Sequence, residues 1–429
     1  MRSARGARAP LLVATVIAAG CGGGAPSTGG LTTVFDSTRS DTVIATTAGS
    51  VPQSAVRRLV EELRVAPTAD DTTLFGETYE FDVGRDGRLY VHDESGNTIF
   101  LFDSTGTLVR RIGRKGGGPG ELEGNGGMVV LPDGRLAVWD SGNGRVSFFS
   151  ADGDFLEQWR VPSDHFARMA LHTDRAGTLR WRRSVADERP GEVVGRIGLV
   201  TLRANGAMSD SILPPDLPIE PIAYVAEFRD GTVLRSRSST YASHSPRALW
   251  GWHPDGHFVS IASSRYRVEA SRPGRALRIV REAPVIPIPE GEREWDREMI
   301  LFQMLQTQPS WLWSGPPLPT EKAPVPGLDL ARDGRIWVLV ATPSEEIPVT
   351  EREEQRPNSF PVERYRQPTE YEVFEKDGTF AGRIRFPARV QWMEAEGNVV
   401  WYLQRDEDGL PAVVRARIEP VLRRRSDLR

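Results

Sequence analysis

The plainest pattern in the chain is a short alternation of apolar and polar positions, broken at regular intervals by Asp-Gly or Asn-Gly. The segment from Phe81 to Gly113, FDVGRDGRLYVHDESGNTIFLFDSTGTLVRRIG, aligns without a gap with MVVLPDGRLAVWDSGNGRVSFFSADGDFLEQW, from Met128 to Trp159. Asp86-Gly87 matches Asp133-Gly134, and Leu89-Tyr90-Val91 matches Leu136-Ala137-Val138. Gly106 and Gly153 each lie 19 residues after the first glycine of their unit. Asp-Gly between alternating runs favours a two-residue hairpin, because both central positions take positive φ. Each unit therefore predicts four short antiparallel strands, A to D, joined by a glycine turn, a loop and a second glycine turn. Tandem four-stranded units of this length predict a β-propeller.

Weaker copies follow from Leu171 to Ser211, Trp250 to Arg281 and Leu328 to Phe386, each with two glycine turns. A last unit, Val390 to Ile418, has three evident strands. Its missing strand is expected from Val43 to Thr46, since strands from both termini would close the ring without an exposed edge. The count is six blades, all-β. A further hairpin at Asp230-Gly231, within Ile222 to Ser238, keeps seven blades as the alternative.

The connections differ in length. Every A–B and C–D turn is short, whereas Ser184 to Gly195, Leu213 to Ser245, Pro284 to Pro326 and Pro343 to Thr369 are all B–C or D–A connections. In a propeller these fall on one face, which is therefore the expected contact surface. One insertion predicts the single helix, Glu290 to Gln306, with an acidic first turn suited to the helix dipole and a stripe of Trp295, Met299, Phe302 and Leu305. Trp311-Leu312-Trp313 follows in a Pro-rich loop. Rings in a surface loop offer contact area at low entropic cost, so Trp311 and Trp313 are candidate ligand contacts, together with Arg364 and Tyr365 of the next insertion.

Composition supports this architecture and narrows the partners. With 42 Gly and 32 Pro in 429 residues, turn-formers exceed one residue in six, as many short strands require. The balance of 54 Lys+Arg against 58 Asp+Glu argues against nucleic acid as a partner. The N-terminus supplies an address. Arg2, Arg5 and Arg8 precede an apolar run from Leu11 to Ala19 that ends at Gly20-Cys21, which is the pattern of a cleaved secretory signal. The run is shorter than the ~20 residues needed to span a bilayer. Cys21 is the one cysteine, so it has no disulfide partner in the chain. Cleavage there would remove three arginines and take the formal charge from −4 to −7. The expected organisation is a signal peptide at 1–20, a flexible tether at 21–30, the propeller at 31–419 and a charged tail at 420–429.

The two tandem units, the inter-blade segment IGRKGGGPGEL (Ile112 to Leu122) and the signal ending at Cys21 resemble the NHL-type six-bladed propeller lipoproteins of environmental bacteria. The cysteine site resembles a bacterial lipobox, with Ala18 where Leu is usual. The resemblance implies the fold and an exported state anchored through acylated Cys21. It implies no particular activity.

The remaining motifs have structural explanations. Arg114 to Gly120 lacks the spacing of a phosphate loop and is accounted for as a blade connection. His253 and His257 are separated by a Pro-Asp-Gly turn rather than a helical turn. Two functions remain. One is a binding or scaffold module for a peptide, glycan or protein, acting through the B–C/D–A face as a monomer without a cofactor. The other is a metal-dependent hydrolase or lyase of the lactonase-like propeller type. The second needs inward carboxylates at the starts of the A strands. Those positions read Asp82, Gly127, Met169, Ala248, Leu328 and Gln391, and a single acid falls short of the six to eight oxygens of a calcium site.

Overall fold

The computed structural model describes residues 31–67, 75, 78, 80–161, 171–189, 192–352, 354–356, 359–406 and 409–422. The signal segment, Cys21, the tether and residues 423–429 of the tail lie outside them.

Six four-stranded units are arranged as a β-propeller, with their first strands innermost. Blade 1 runs through Phe81–Val83, Leu89–Asp93, Thr98–Phe102 and Leu108–Ile112. Blade 2 runs through Asn125–Val130, Leu136–Asp140, Arg145–Phe149 and Phe155–Arg160, and blade 3 through Leu171–Thr173, Leu179–Arg189, Glu192–Leu202 and Met208–Ile212. Blade 4 consists of Ala248–His253, His257–Ala262, Arg267–Ala270 and Ala276–Arg281; blade 5 of Gly327–Leu330, Ile336–Val340, Glu370–Phe374 and Phe380–Arg385. Blade 6 takes Val390–Glu396, Val399–Arg405 and Pro411–Glu419 from the C-terminus.

The strand that completes blade 6 is Val56–Val65, which pairs antiparallel with Pro411–Glu419 and places Leu59 opposite Ile418. Val43 to Thr46 does something else. It lies in Thr42–Ala48, which runs parallel to Ala276–Arg281 on the outside of blade 4, with Thr32–Asp36 added beyond it. The closing strand escaped the alternation pattern because it reads VRRLVEELRV, with half its positions charged. Those charges are matched across the strand pair: Arg417 Nε donates to Glu62 at 2.9 Å and Arg58 to Glu419 at 3.1 Å. The start of the same strand also pairs with Arg383 and Ile384 of blade 5, so it ties two blades together.

The seventh-blade candidate is a two-stranded hairpin, Ala223–Asp230 with Val233–Tyr241, that packs on the helix. The helix spans Glu290–Thr307, but its buried residues are Glu292, Asp296, Ile300 and Met304 rather than the expected stripe. The two polar groups buried there are both hydrogen-bonded, although Glu292 Oε2 is left unmatched. Glu292 Oε1 meets His244 Nε2 and the Ser344 hydroxyl at 2.7 Å, and Asp296 accepts from the Ser243 hydroxyl at 2.6 Å. Trp295 and Phe302 instead face the loop of blade 5, where the Trp295 indole donates to the Val362 carbonyl and Phe302 packs on Phe360. Hairpin, helix and loop thus form one cap on the B–C/D–A face.

Apolar clusters fill five of the six seams between blades. Trp139 and Trp181 meet at 4.6 Å between blades 2 and 3; Phe81, Trp401 and Leu403 join blades 6 and 1. Comparable clusters join blades 1 and 2, 4 and 5, and 5 and 6. The seam between blades 3 and 4 has no such cluster among the described residues. There, the guanidinium groups of Arg180 and Arg182 lie over the Trp252 and Trp250 rings at 4.7 and 4.5 Å. On strand B of blade 3, Leu179 and Trp181 face blade 2, so the period-two alternation turns Arg180 and Arg182 toward blade 4.

Candidate functional site

A cavity of about 480 Å³ occupies the centre of the ring. All six inner strands line it, and all six A–B turns contribute, through Arg85, Pro132, Arg175, Pro254, Arg332 and Glu396. It therefore belongs to the short-turn side of the ring, away from the cap. This volume falls within the range of small-molecule sites.

Seven acidic residues line the cavity, and three of them on the inner strands, Asp82, Asp329 and Glu394, have side-chain partners. Asp82 accepts from the backbone N–H of Val83 at 2.7 Å and of Val130 at 2.6 Å. It is also paired with Arg332, whose Nε donates to Glu394 at 3.2 Å. One guanidinium from blade 5 thus bridges acids of blades 1 and 6. Asp329 accepts from the Tyr371 hydroxyl at 2.8 Å. Burial, less the effect of that hydrogen bond and reinforced by Glu394, pushes its carboxyl up to about 6. Among the described residues, no three His, Cys, Asp or Glu side chains are grouped so as to hold a metal ion.

The opposite wall is cationic and aromatic. His172, Arg182, Trp250 and Trp252 all line the cavity at the seam of blades 3 and 4. Arg182 has neither an ion pair nor a hydrogen bond among the described residues, only the Trp250 ring at 4.5 Å. Burial lowers its pKa. His172 is pulled down to about 4 by burial and then by Arg182, so its ring is neutral at pH 7. Its Nε2 and the Trp252 Nε1 are buried without a protein partner. An unmatched buried polar atom costs about 1–3 kcal/mol, a cost also carried by the Trp139 and Trp181 indoles between blades 2 and 3 and the Trp337 indole between blades 5 and 6.

The residues proposed from sequence lie in the cap. Trp311 is 5% exposed and sits with Tyr224, Ile300 and Met304, its indole donating to the Val225 carbonyl at 2.9 Å. The expected surface ring is therefore core of the insertion, because the hairpin folds over the loop. Trp313 is half-buried between Tyr224 and Arg297, with both at 4.7 Å. Arg364 forms a two-pronged pair with Glu298, at 2.7 and 3.2 Å. Tyr365 pairs with Glu346 and carries its hydroxyl over Gly291, where a Cβ would stand 2.3 Å from it. Beneath the cap, a cavity of about 380 Å³ lies between blades 4 and 5. In its wall, Glu372 is bound by Arg281 at 2.6 Å, Arg383 at 2.5 Å and the Tyr266 hydroxyl at 2.7 Å.

The glycine-rich segment is a blade connection. Its carbonyls at Gly117 and Gly118 accept from Arg145, which is itself paired with the buried Asp140 at 2.9 Å. His253 and His257 are cross-strand neighbours with rings stacked at 4.3 Å; His253 Nε2 meets the Gly334 carbonyl and its Nδ1 accepts from the Asp255 N–H.

This geometry defines the class of the protein as a six-bladed β-propeller. In agreement, residues 68–188 match a family model, DUF5128, described as a 6-bladed β-propeller. No curated protein matches the chain. Solved structures give distant likenesses. A Bacteroides fragilis protein described as exported is 11% identical, with 88% of this chain and 99% of that one covered and a TM-score of 0.44. Virginiamycin B lyase of Staphylococcus aureus is 9% identical over 83% of this chain and 99% of its own, with a TM-score of 0.40. At this level no residue role or activity passes from either protein to this one.

Proposed function

We propose that this is an exported, non-enzymatic binding module, tethered to the membrane through acylated Cys21, which holds a small ligand in the channel of its propeller. The observation that carries this reading is the wall at the seam of blades 3 and 4. A ring built for stability alone would fill that seam with apolar side chains, as the other five are filled. Here, a guanidinium without a polar protein partner among the described residues lines a cavity of ligand size. The carboxylates that a hydrolase would use are bound to Arg332 and Tyr371, which favours binding over hydrolysis. The cap remains a second surface for a peptide, glycan or protein, but its tryptophans and Arg364 already serve its own packing.

Two experiments test this. A thermal-shift and calorimetric screen of small organic molecules should find ligands whose binding is lost in Trp250→Ala; binders indifferent to Trp250 would move the site elsewhere. Fractionation of cells making Cys21→Ala should show loss of membrane association, and retained association without an acyl label would overturn the anchor.

A further inference from the structure

The chemical class of the ligand can be read from the charges around the channel. Resting on the binding reading above, we infer that the channel takes a small organic acid, its carboxylate held by Arg182 and its apolar body laid against Trp250 and Trp252.

Of the other three arginines that line the cavity, two have polar protein partners among the described residues. Arg332 is bound by Asp82 and Glu394, and Arg175 pairs with Asp255 and donates to the Arg332 carbonyl at 3.1 Å. Arg85 stands at the turn rim. Arg182 stands within strand B, half-buried and without a polar protein partner among the described residues, with an indole face as its neighbour. No carboxylate contributes to its protonation balance, which burial alone depresses, or to that of His172. A guanidinium in such a place is a half-made ion pair. Arginine is suited to the missing half, because its planar fork matches a carboxylate with two parallel hydrogen bonds.

The rest of the cavity decides between an organic and an inorganic anion. Apart from the rim, its wall includes Met128, Val130, Leu171, Leu330 and Met393, beside the two tryptophans. These apolar side chains beside one unpaired guanidinium suit a carboxylate on an apolar or aromatic body. Asp329 and Glu394 on the facing wall disfavour a second negative charge on the ligand.

The test uses matched probes: indole-3-acetate against indole-3-acetamide, benzoate against benzamide, and inorganic phosphate, each titrated calorimetrically into the mature chain. The carboxylates should bind at least about tenfold more tightly than their amides, since a charge-assisted pair is lost in the neutral probe. In Arg182→Met, that preference should vanish while the melting temperature holds or rises, because an apolar residue relieves the buried charge. Arg182→Lys should retain part of the preference. Amides binding as well as acids in a Trp250-dependent way would overturn the organic-acid assignment and leave the channel a binding site. Phosphate binding without carboxylate binding would do the same. A lower melting temperature in Arg182→Met with unchanged preference would show the arginine to be a packing residue. Absence of any Trp250-dependent binder would remove the channel reading as well.

Discussion

Arg332, in the A–B turn of blade 5, pairs with Asp82 on the inner strand of blade 1 and passes over blade 6 to reach it. On the way, its Nε donates to Glu394 of blade 6. The ring is therefore closed twice. At its outside, Val56–Val65 completes the last blade; at its centre, one side chain links blades 5, 6 and 1.

Removing that link should be expensive. Arg332→Gln leaves Asp82, which is almost fully buried, with backbone donors alone, and Glu394 without its cation. Stripping one partner from a partly buried pair costs about 2–4 kcal/mol. The expected result is a fall of several degrees in melting temperature at pH 7. A melting temperature equal to that of the parent would show that the bridge contributes nothing.

The two N-terminal strand regions should behave differently on truncation. Deleting 31–50 removes two strands from the outside of blade 4 and uncovers the edge at Ala276–Arg281, but leaves the closing strand intact. That protein should fold, with modest loss of stability and a greater tendency to self-associate. Deleting 31–66 also removes Val65 from the core between blades 6 and 1 and should abolish cooperative unfolding. Equal behaviour of the two truncations in calorimetry and size-exclusion chromatography would contradict the pairing.

How far the sequence reveals this depends on what kind of information each feature needs. The first two blades are legible because a φ-positive Asp-Gly turn is a local requirement, repeated at a fixed interval: Gly87 and Gly134 have φ of 81° and 88°. The channel wall is not legible in this way. Counting from strand starts gave Gln391 and Gly127, yet the wall carries Glu394 and Met128. The inner strand of blade 6 has an irregularity between Val390 and Trp392, and that of blade 2 has one between Asn125 and Gly127. Each such irregularity adds a residue and reverses which side chains face inward. The Arg180–Trp252 and Arg182–Trp250 contacts join residues about 70 positions apart in sequence and follow no local pattern. Trp311 was misplaced for a related reason, since nothing near it shows that the hairpin 223–241 folds over the loop.

Trp311 should accordingly matter for the cap and not for the ring. Trp311→Ala removes a large ring from the cluster with Tyr224, Ile300 and Met304 and should cost about 3–5 kcal/mol locally. Hydrogen exchange should quicken in the hairpin 223–241 and the helix 290–307, with little change in blades 1 and 2. Exchange that rose uniformly over all six blades would mean that the cap and ring unfold as one unit. Trp313→Ala should have the smaller effect, because that ring is only half-buried.

Asp329 gives the protein a pH dependence opposite to the usual carboxylate case. Its pKa is raised from 3.8 to about 6, chiefly by burial, so the native state holds the proton more tightly than the unfolded chain does. Its contribution to stability is therefore full below pH 4, declines as the pH rises through 6, and is absent above. Between those limits, the shift of about two units corresponds to roughly 3 kcal/mol. Asp329→Asn keeps an oxygen to accept from the Tyr371 hydroxyl and removes the charge that must be buried at neutral pH. The variant should melt about 3 °C higher than the parent at pH 8 and at nearly the same temperature at pH 4, given the small shift per kcal/mol expected of a chain this long. Binding of an organic acid should also improve at pH 8 in the variant, since one negative charge has left the facing wall. A variant less stable than its parent at pH 8 would mean that the ionised carboxylate is a favourable partner in the channel, and the charge assignment of that wall would have to be reversed.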